Sequence, residues 1–248
     1  MKRLSSHSLW IAWLVAVLGP VLPVPGAVVI NEIHYLPSSL TVAEEFVELF
    51  NTGPDAVDLT GWRFVDGIYY TFPPETGLEA GGYLIVAARP ESYTRLDPSI
   101  LVLGPYGGIL SNDGENVALA APDGAWVDHV AYQDEEGWPP EADGQGPSLE
   151  RLHPEMPSSH PASWTAGPPG GTPGRKNQNA IPSPLPVVTD VRHDPVTPAS
   201  YQSVWIRGRV IHNRPLQAVY LFYKEEDMAA YVQVEMFDDG LRGDEQAG

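Results

Sequence analysis

Punctuation dominates this sequence. From Val28 onward, short apolar runs recur at intervals of roughly 10 to 20 residues: VVINEIHYLP, EEFVELFNTG, VDLTGWRFVDG, YYTFPP, GGYLIVAARP, ENVALAAPDG and AWVDHVAYQD. Turn chemistry closes them, as at Asn51-Thr52-Gly53, Asp66-Gly67, Ala80-Gly81-Gly82, Asn112-Asp113-Gly114 and Asp123-Gly124. Gly and Asn tolerate the positive φ that tight hairpins demand, so these clusters end strands rather than continue them. With 24 Gly and 26 Pro in 248 residues, stretches favourable to helix are scarce. The rhythm predicts an all-β sandwich or barrel.

Side-chain parity sharpens the expectation. On an extended strand, Val47 and Leu49 point one way while Phe46, Glu48 and Phe50 point the other, and Leu84 and Val86 oppose Tyr83 and Ile85. Both faces are partly apolar, which predicts two central strands with one face on the core and the other covered by an aromatic or a loop. Trp62, Phe64 and Phe72 are the expected core anchors, and Trp164 an expected buried plug.

The chain opens differently. Met1, Lys2 and Arg3 precede an uncharged apolar run over residues 9–18 (LWIAWLVAVL), and Gly19 and Pro20 follow as helix breakers. That run is too short for the roughly 20 residues a bilayer crossing needs, but suits the apolar region of a secretory signal. Residues 1–26 therefore read as a signal peptide, cleaved after Gly26 or Ala27, leaving no membrane span. The expected location is secreted, cell-surface or periplasmic.

Charge and missing chemistry exclude whole classes of function. The formal net charge is -18 with a pI near 4.5. Loss of Lys2 and Arg3 would leave 12 basic residues against 32 acidic ones, about -20. A face that grips phosphates must be basic, so nucleic acid is not an expected partner. There is no cysteine, which removes disulfides and thiolate chemistry and fits bacterial secretion. No phosphate loop, HExxH or Gly-x-Ser-x-Gly occurs. His34, His129, His153, His160, His193 and His212 show no metal-ligand spacing. Glu45 and Glu48 have opposite parity, which reads as solvation and turn bonding rather than a shared acid–base site; Asp55 and Asp58 read as turn residues.

Several motifs together resemble the bacterial form of the lamin tail domain. The opening Ile30-Asn31-Glu32-Ile33, the strand Phe46-Val47-Glu48-Leu49-Phe50-Asn51 and the strand Val57-Asp58-Leu59-Thr60-Gly61-Trp62 carry the likeness. So do LSNDGENVAL, PDGAWVDHVAY and the closing GPSLERLHPE with PASWTAGPPGGTPGRKN. The resemblance implies an immunoglobulin-like β-sandwich over residues 28–177, used as an accessory module on proteins of many functions. Partnership with DNA, linked to the module in nuclear lamins, is contradicted here by the acidic charge.

Nine prolines fall between Pro154 and Pro186, and residues 178–186 read as a stiff linker. Beyond it, VVTDVRHDP, SVWIRGRVI, QAVYLFYK and YVQVEMFDDG give four strands of a second unit, residues 187–248. Val204, Ile206 and Val210 face one way there, and Trp205, Arg207 and Arg209 the other. Four strands make a partial immunoglobulin-like domain, since a whole one takes about seven. Its tail resembles the turn of immunoglobulin-like repeats in large secreted bacterial proteins. Asp238, Asp239 and Asp244 form the one calcium candidate, weighed against a plain Asp-Gly turn; no other cofactor is expected. Tyr69, Tyr70, Tyr106, Trp126 and Trp138 sit near turns and are candidates for a sugar platform. The expected function is a non-catalytic exported interaction module whose partner is a protein or cell-surface polysaccharide. The alternative is the accessory region of a larger secreted enzyme, such as one with a spore-coat-kinase-like or hydrolase domain.

Overall fold

The computed structural model describes residues 10–18, 28–93, 98–199, 202–212, 215–224 and 229–237. The chain divides into two compact units, one over Pro23–Pro184 and the other combining the N-terminal stretch with residues from Leu185 onward. The first strand, β1 (Trp10–Leu18), belongs to the second unit. The first unit carries β2 (Val28–His34), β3 (Phe46–Asn51), β4 (Val57–Asp58), β5 (Arg63–Asp66), β6 (Tyr70–Thr71), β7 (Gly77–Leu78) and β8 (Tyr83–Ala87). It continues with β9 (Leu101–Leu103), β10 (Glu115–Ala120), β11 (Trp126–Tyr132), β12 (Pro147–Arg151) and β13 (Trp164–Pro169).

Two sheets enclose the first unit's core. A six-stranded sheet runs in the order β13-β12-β2-β3-β8-β9 and a four-stranded sheet in the order β11-β10-β5-β6. Ile30, Ile33, Val47, Leu49, Leu84, Val86 and Leu149 of the first meet Phe64, Val117, Leu119, Val130 and Tyr132 of the second in one cluster. This is the all-β sandwich that the punctuation predicted, of the immunoglobulin-like kind that the resemblance implied. β3 and β8 lie centrally in the larger sheet, as their two-faced apolar pattern required. Phe64 and Phe72 are buried in the core, Trp62 packs against it half-exposed, and Trp164 is buried.

A bulge in β2 explains how that strand buries every residue. The β2–β3 register shifts between Ile30 and Glu32. The extra residue, Asn31, reverses side-chain parity, so Val28 and Ile30 before it and Ile33 and Tyr35 after it all reach the core. Glu32 and His34 are thereby turned to the sheet's other face, with Glu48. Further along that face, Phe46, Ile85 and Ala87 are covered by Tyr93, Ile100 and Val102.

The second unit contains β14 (Val187–Asp194), β15 (Trp205–Ile211), β16 (Leu216–Lys224) and β17 (Val232–Met236). β14 pairs with β15, and β1 joins β16 and β17 in a three-stranded sheet. Ile206 and Val210 are half-buried while Arg207 and Arg209 are exposed, matching the expected faces. The run expected to stand apart as a leader is thus a strand here, antiparallel to β16. Its Trp, Ile, Val and Leu residues are strong strand formers, so an unpaired sheet edge can hold it as well as a leader helix can. The cleavage positions after Gly26 or Ala27 lie outside the described residues. Among the described residues, no helix is long and apolar enough to cross a membrane.

Candidate functional site

Three glutamates stand side by side across neighbouring strands on the outer face of the six-stranded sheet. Glu32 of β2 is the register partner of both Glu48 of β3 and Glu150 of β12. All three are fully buried. What buries them is the chain after β13, residues 171–178, which lies over the row. Gly171 has φ +72°, and a β-carbon there would collide with Glu32 Oε1. Only glycine lets the backbone come this close.

Each carboxylate is held by one backbone amide of this covering segment. Thr172 N donates to Glu32 Oε1 at 2.8 Å, Gly174 N donates to Glu48 Oε2, and Gln178 N donates to Glu150 Oε2 at 2.9 Å. Side chains supply the rest. Ser148 Oγ donates to Glu32 Oε1 at 2.6 Å and Asn31 Nδ2 to Glu48 Oε1 at 2.8 Å. Thr172 Oγ1 lies 3.2 Å from Glu32 Oε2 and 2.7 Å from Glu150 Oε1. Asn177 ties the end of the segment down, donating through Nδ2 to Asn31 O and Arg151 O.

Burial dominates the electrostatics of this row. It pushes the Glu32 carboxyl up to about 7, against the lowering effect of its hydrogen bonds from Ser148 and Thr172. Glu48 is raised well above the usual carboxylate range by burial and then by the neighbouring Glu32 charge. No metal-holding group of His, Cys, Asp and Glu forms among the described residues.

A second polar tie joins the two sheets. Arg151 Nη1 of β12 forms an ion pair with Asp128 Oδ2 of β11 at 2.7 Å, with both side chains nearly buried. Asp128 Oδ2 also accepts the Ile30 amide at 2.9 Å, next to the β2 bulge. The guanidinium donates further to Ile30 O and Met156 O.

The exposed candidates sort clearly. Tyr69 is 62% and Trp126 61% exposed, while Tyr70 is half-buried. Trp126 lies 5.3 Å from the His129 ring, and His129 Nε2 is 3.3 Å from Ser159 Oγ. Two aromatic candidates fall away. Tyr106 is buried because its hydroxyl donates to Glu45 Oε2 at 2.9 Å, and Trp138 is buried against Trp164, ring centroids 6.2 Å apart. Asp238, Asp239 and Asp244 lie outside the described residues.

The reading of Glu45 and Glu48 holds in one respect and fails in another. They do face opposite sides, Glu45 toward Tyr106 and Leu110 N and Glu48 into the row. Neither is solvated, because partners distant in sequence bury both. Asp58 caps its turn through Thr60 N as expected. The buried row itself went unread, although a signal existed. Glu48 stands in FVELF and Glu32 in INEI, each a lone acid in a strand apolar on both faces. A charge placed there must find buried partners.

The polar letters that carried the family resemblance, Asn31, Glu32, Glu48, Glu150, Arg151, Thr172 and Asn177, all converge on these two networks. No curated protein matches the chain. Residues 23–134, under half of the sequence, match the family described as the lamin tail domain.

Proposed function

We propose that this chain is an exported, non-catalytic interaction module that presents loop side chains from a rigid sandwich to a protein or polysaccharide at the cell surface or outside the cell. One observation carries the reading. The carboxylates of the first unit that share a face are buried and bound internally, whereas four large apolar side chains of that unit stand more than half open, Leu40, Tyr69, Ile109 and Trp126, two of them aromatic. An indole face with an imidazole and a hydroxyl beside it suits a sugar ring or an extended peptide, through stacking and lateral hydrogen bonds. Export rests on the basic start and apolar run of the first 18 residues, and the exclusion of nucleic acid on the net charge of -18. No cofactor is needed.

Two measurements test it. The intact mass of the chain recovered outside the inner membrane should match a start at residue 27 or 28; retention in the cytoplasm would sink the export reading. Parent and Trp126→Ala chains should then be compared for sedimentation with purified cell-wall polysaccharide and with surface-protein extract. Binding lost in the variant supports the reading. Turnover of substrate by this chain, or tight DNA binding at physiological salt, would overturn it.

A further inference from the structure

The row of glutamates contains more acceptors than its ionised form can satisfy. Thr172 Oγ1 sits within hydrogen-bonding distance of both Glu32 Oε2 and Glu150 Oε1, yet a hydroxyl carries one proton. If it donates to Glu150, the shorter contact, then Glu32 must itself be protonated and donate to Thr172. The geometry therefore calls for a relay, Glu32 carboxyl to Thr172 hydroxyl to Glu150 carboxylate. Without that proton, two lone-pair oxygens face each other across 3.2 Å in a buried site.

Among the described residues, nothing nearby supplies a compensating positive charge. Arg151 on β12 directs its guanidinium to Asp128, Ile30 O and Met156 O. Arg175 and Lys176 of the covering segment are exposed. On β2, burial pushes the His34 imidazole down, which favours its neutral form, and Asn31 is uncharged. On β12, Ser148 is a neutral donor, and Asn177 of the covering segment is uncharged. Tyr83 of β8 and Tyr93 are both raised by burial and then by glutamate charge, and so stay neutral.

We propose that residues 171–178 form a proton-latched strap, closed over the sheet while Glu32 keeps its proton and loosened when the whole row ionises. The three strap amides of Thr172, Gly174 and Gln178 are the fasteners, one to each carboxylate, and Asn177 is the anchor. Loosening exposes the glutamates to water, where their charges are solvated. The strap immediately precedes the Pro-rich segment that leads toward the second unit. The inference stands apart from the binding surface at Trp126.

The test is amide hydrogen exchange on the intact chain, corrected for the intrinsic pH dependence of exchange. With Glu32 held near 7 when closed and near 4.5 when open, strap protection should fall roughly 70-fold between pH 5 and pH 8, while protection of β8 stays level. Glu32→Gln mimics the protonated carboxyl and should make strap protection fall far less than in the parent over that range, the remainder coming from Glu48, which burial also raises; Thr172→Ser, which keeps the hydroxyl, should follow the parent. PH-independent strap protection in the parent overturns the proposal, with or without a folded variant. So does a Glu32→Gln chain that loses protection as the parent does.

Discussion

Replacing Arg151 by Ala should be among the most damaging single changes to the first unit. The side chain is 3% exposed and its partner Asp128 9%, so removing the guanidinium leaves a buried carboxylate without a counter-charge. It also orphans the carbonyls of Ile30 and Met156. Breaking a buried pair from one side costs about 3–5 kcal/mol, because the remaining charge stays desolvated. Domains of this size are stable by roughly 5–15 kcal/mol, so the loss takes a large share. The assay is urea unfolding followed by tryptophan fluorescence, since Trp138 and Trp164 are buried in this unit and report its core. Asp128→Ala removes the charge and also frees the Ile30 amide, so it is itself destabilising. The double variant should nonetheless be less destabilised than the two singles summed, by at least about 2 kcal/mol, since no lone charge remains. A cost under about 1 kcal/mol for Arg151→Ala, or strict additivity, would refute the argument that this pair is desolvated and mutually dependent.

Three further outcomes follow from the same networks. Burial raises Glu32 to about 7 from 4.5, so the folded chain holds a proton that the unfolded chain has lost; stability is whole below about pH 4.5 and declines as pH rises through about 7. Glu32 should contribute about 2.5 kcal/mol of loss between pH 5 and 8, so the decline should be smaller by about that much in Glu32→Gln, and a parent stability that rises over that range contradicts it. Trp126→Ala, at a 61% exposed site, should change stability by no more than about 0.5 kcal/mol while weakening ligand capture; a large loss of melting temperature would show instead that the indole supports the fold. A chain ending at residue 134, the limit of the family match, should fail to unfold cooperatively, whereas one ending at 184 should do so; a cooperative transition in the shorter chain would show that β12, β13 and the strap are dispensable.

The parts of the fold that the sequence disclosed are those set by local rules. Parity placed Val47 and Leu49 on the core and Phe46 and Ile85 on the opposite face, because side chains alternate whatever the tertiary context. Turn residues marked the strand ends for the same reason. What stayed hidden depends on contacts distant along the chain. Glu48 looked solvated because its covering amide, Gly174 N, comes 126 residues later. Trp138, in the connection after β11, looked exposed because its neighbour Trp164 arrives from β13. The apolar run at Trp10–Leu18 illustrates a different limit, since one composition satisfies both a leader and a sheet edge, and periodicity does not choose between them.

The two polar networks also explain why the sandwich extends past the matched region. Within residues 23–134 lie Glu32 and Glu48, fully buried, and Asp128, whose side chain is 9% exposed. Most of the donors that make their burial tolerable, Ser148, Arg151, Thr172 and Gly174, lie beyond it. A strand such as β2 can be apolar enough to enter a core and still carry an acid only if later chain delivers hydrogen bonds to that acid. Without β12 and the strap, Glu32 would face unpaired desolvation, worth several kcal/mol, or would drag β2 back toward water. The first unit is therefore defined physically by where its buried charges are answered. That boundary falls at Asn177 and Gln178, where the last of these hydrogen bonds is made.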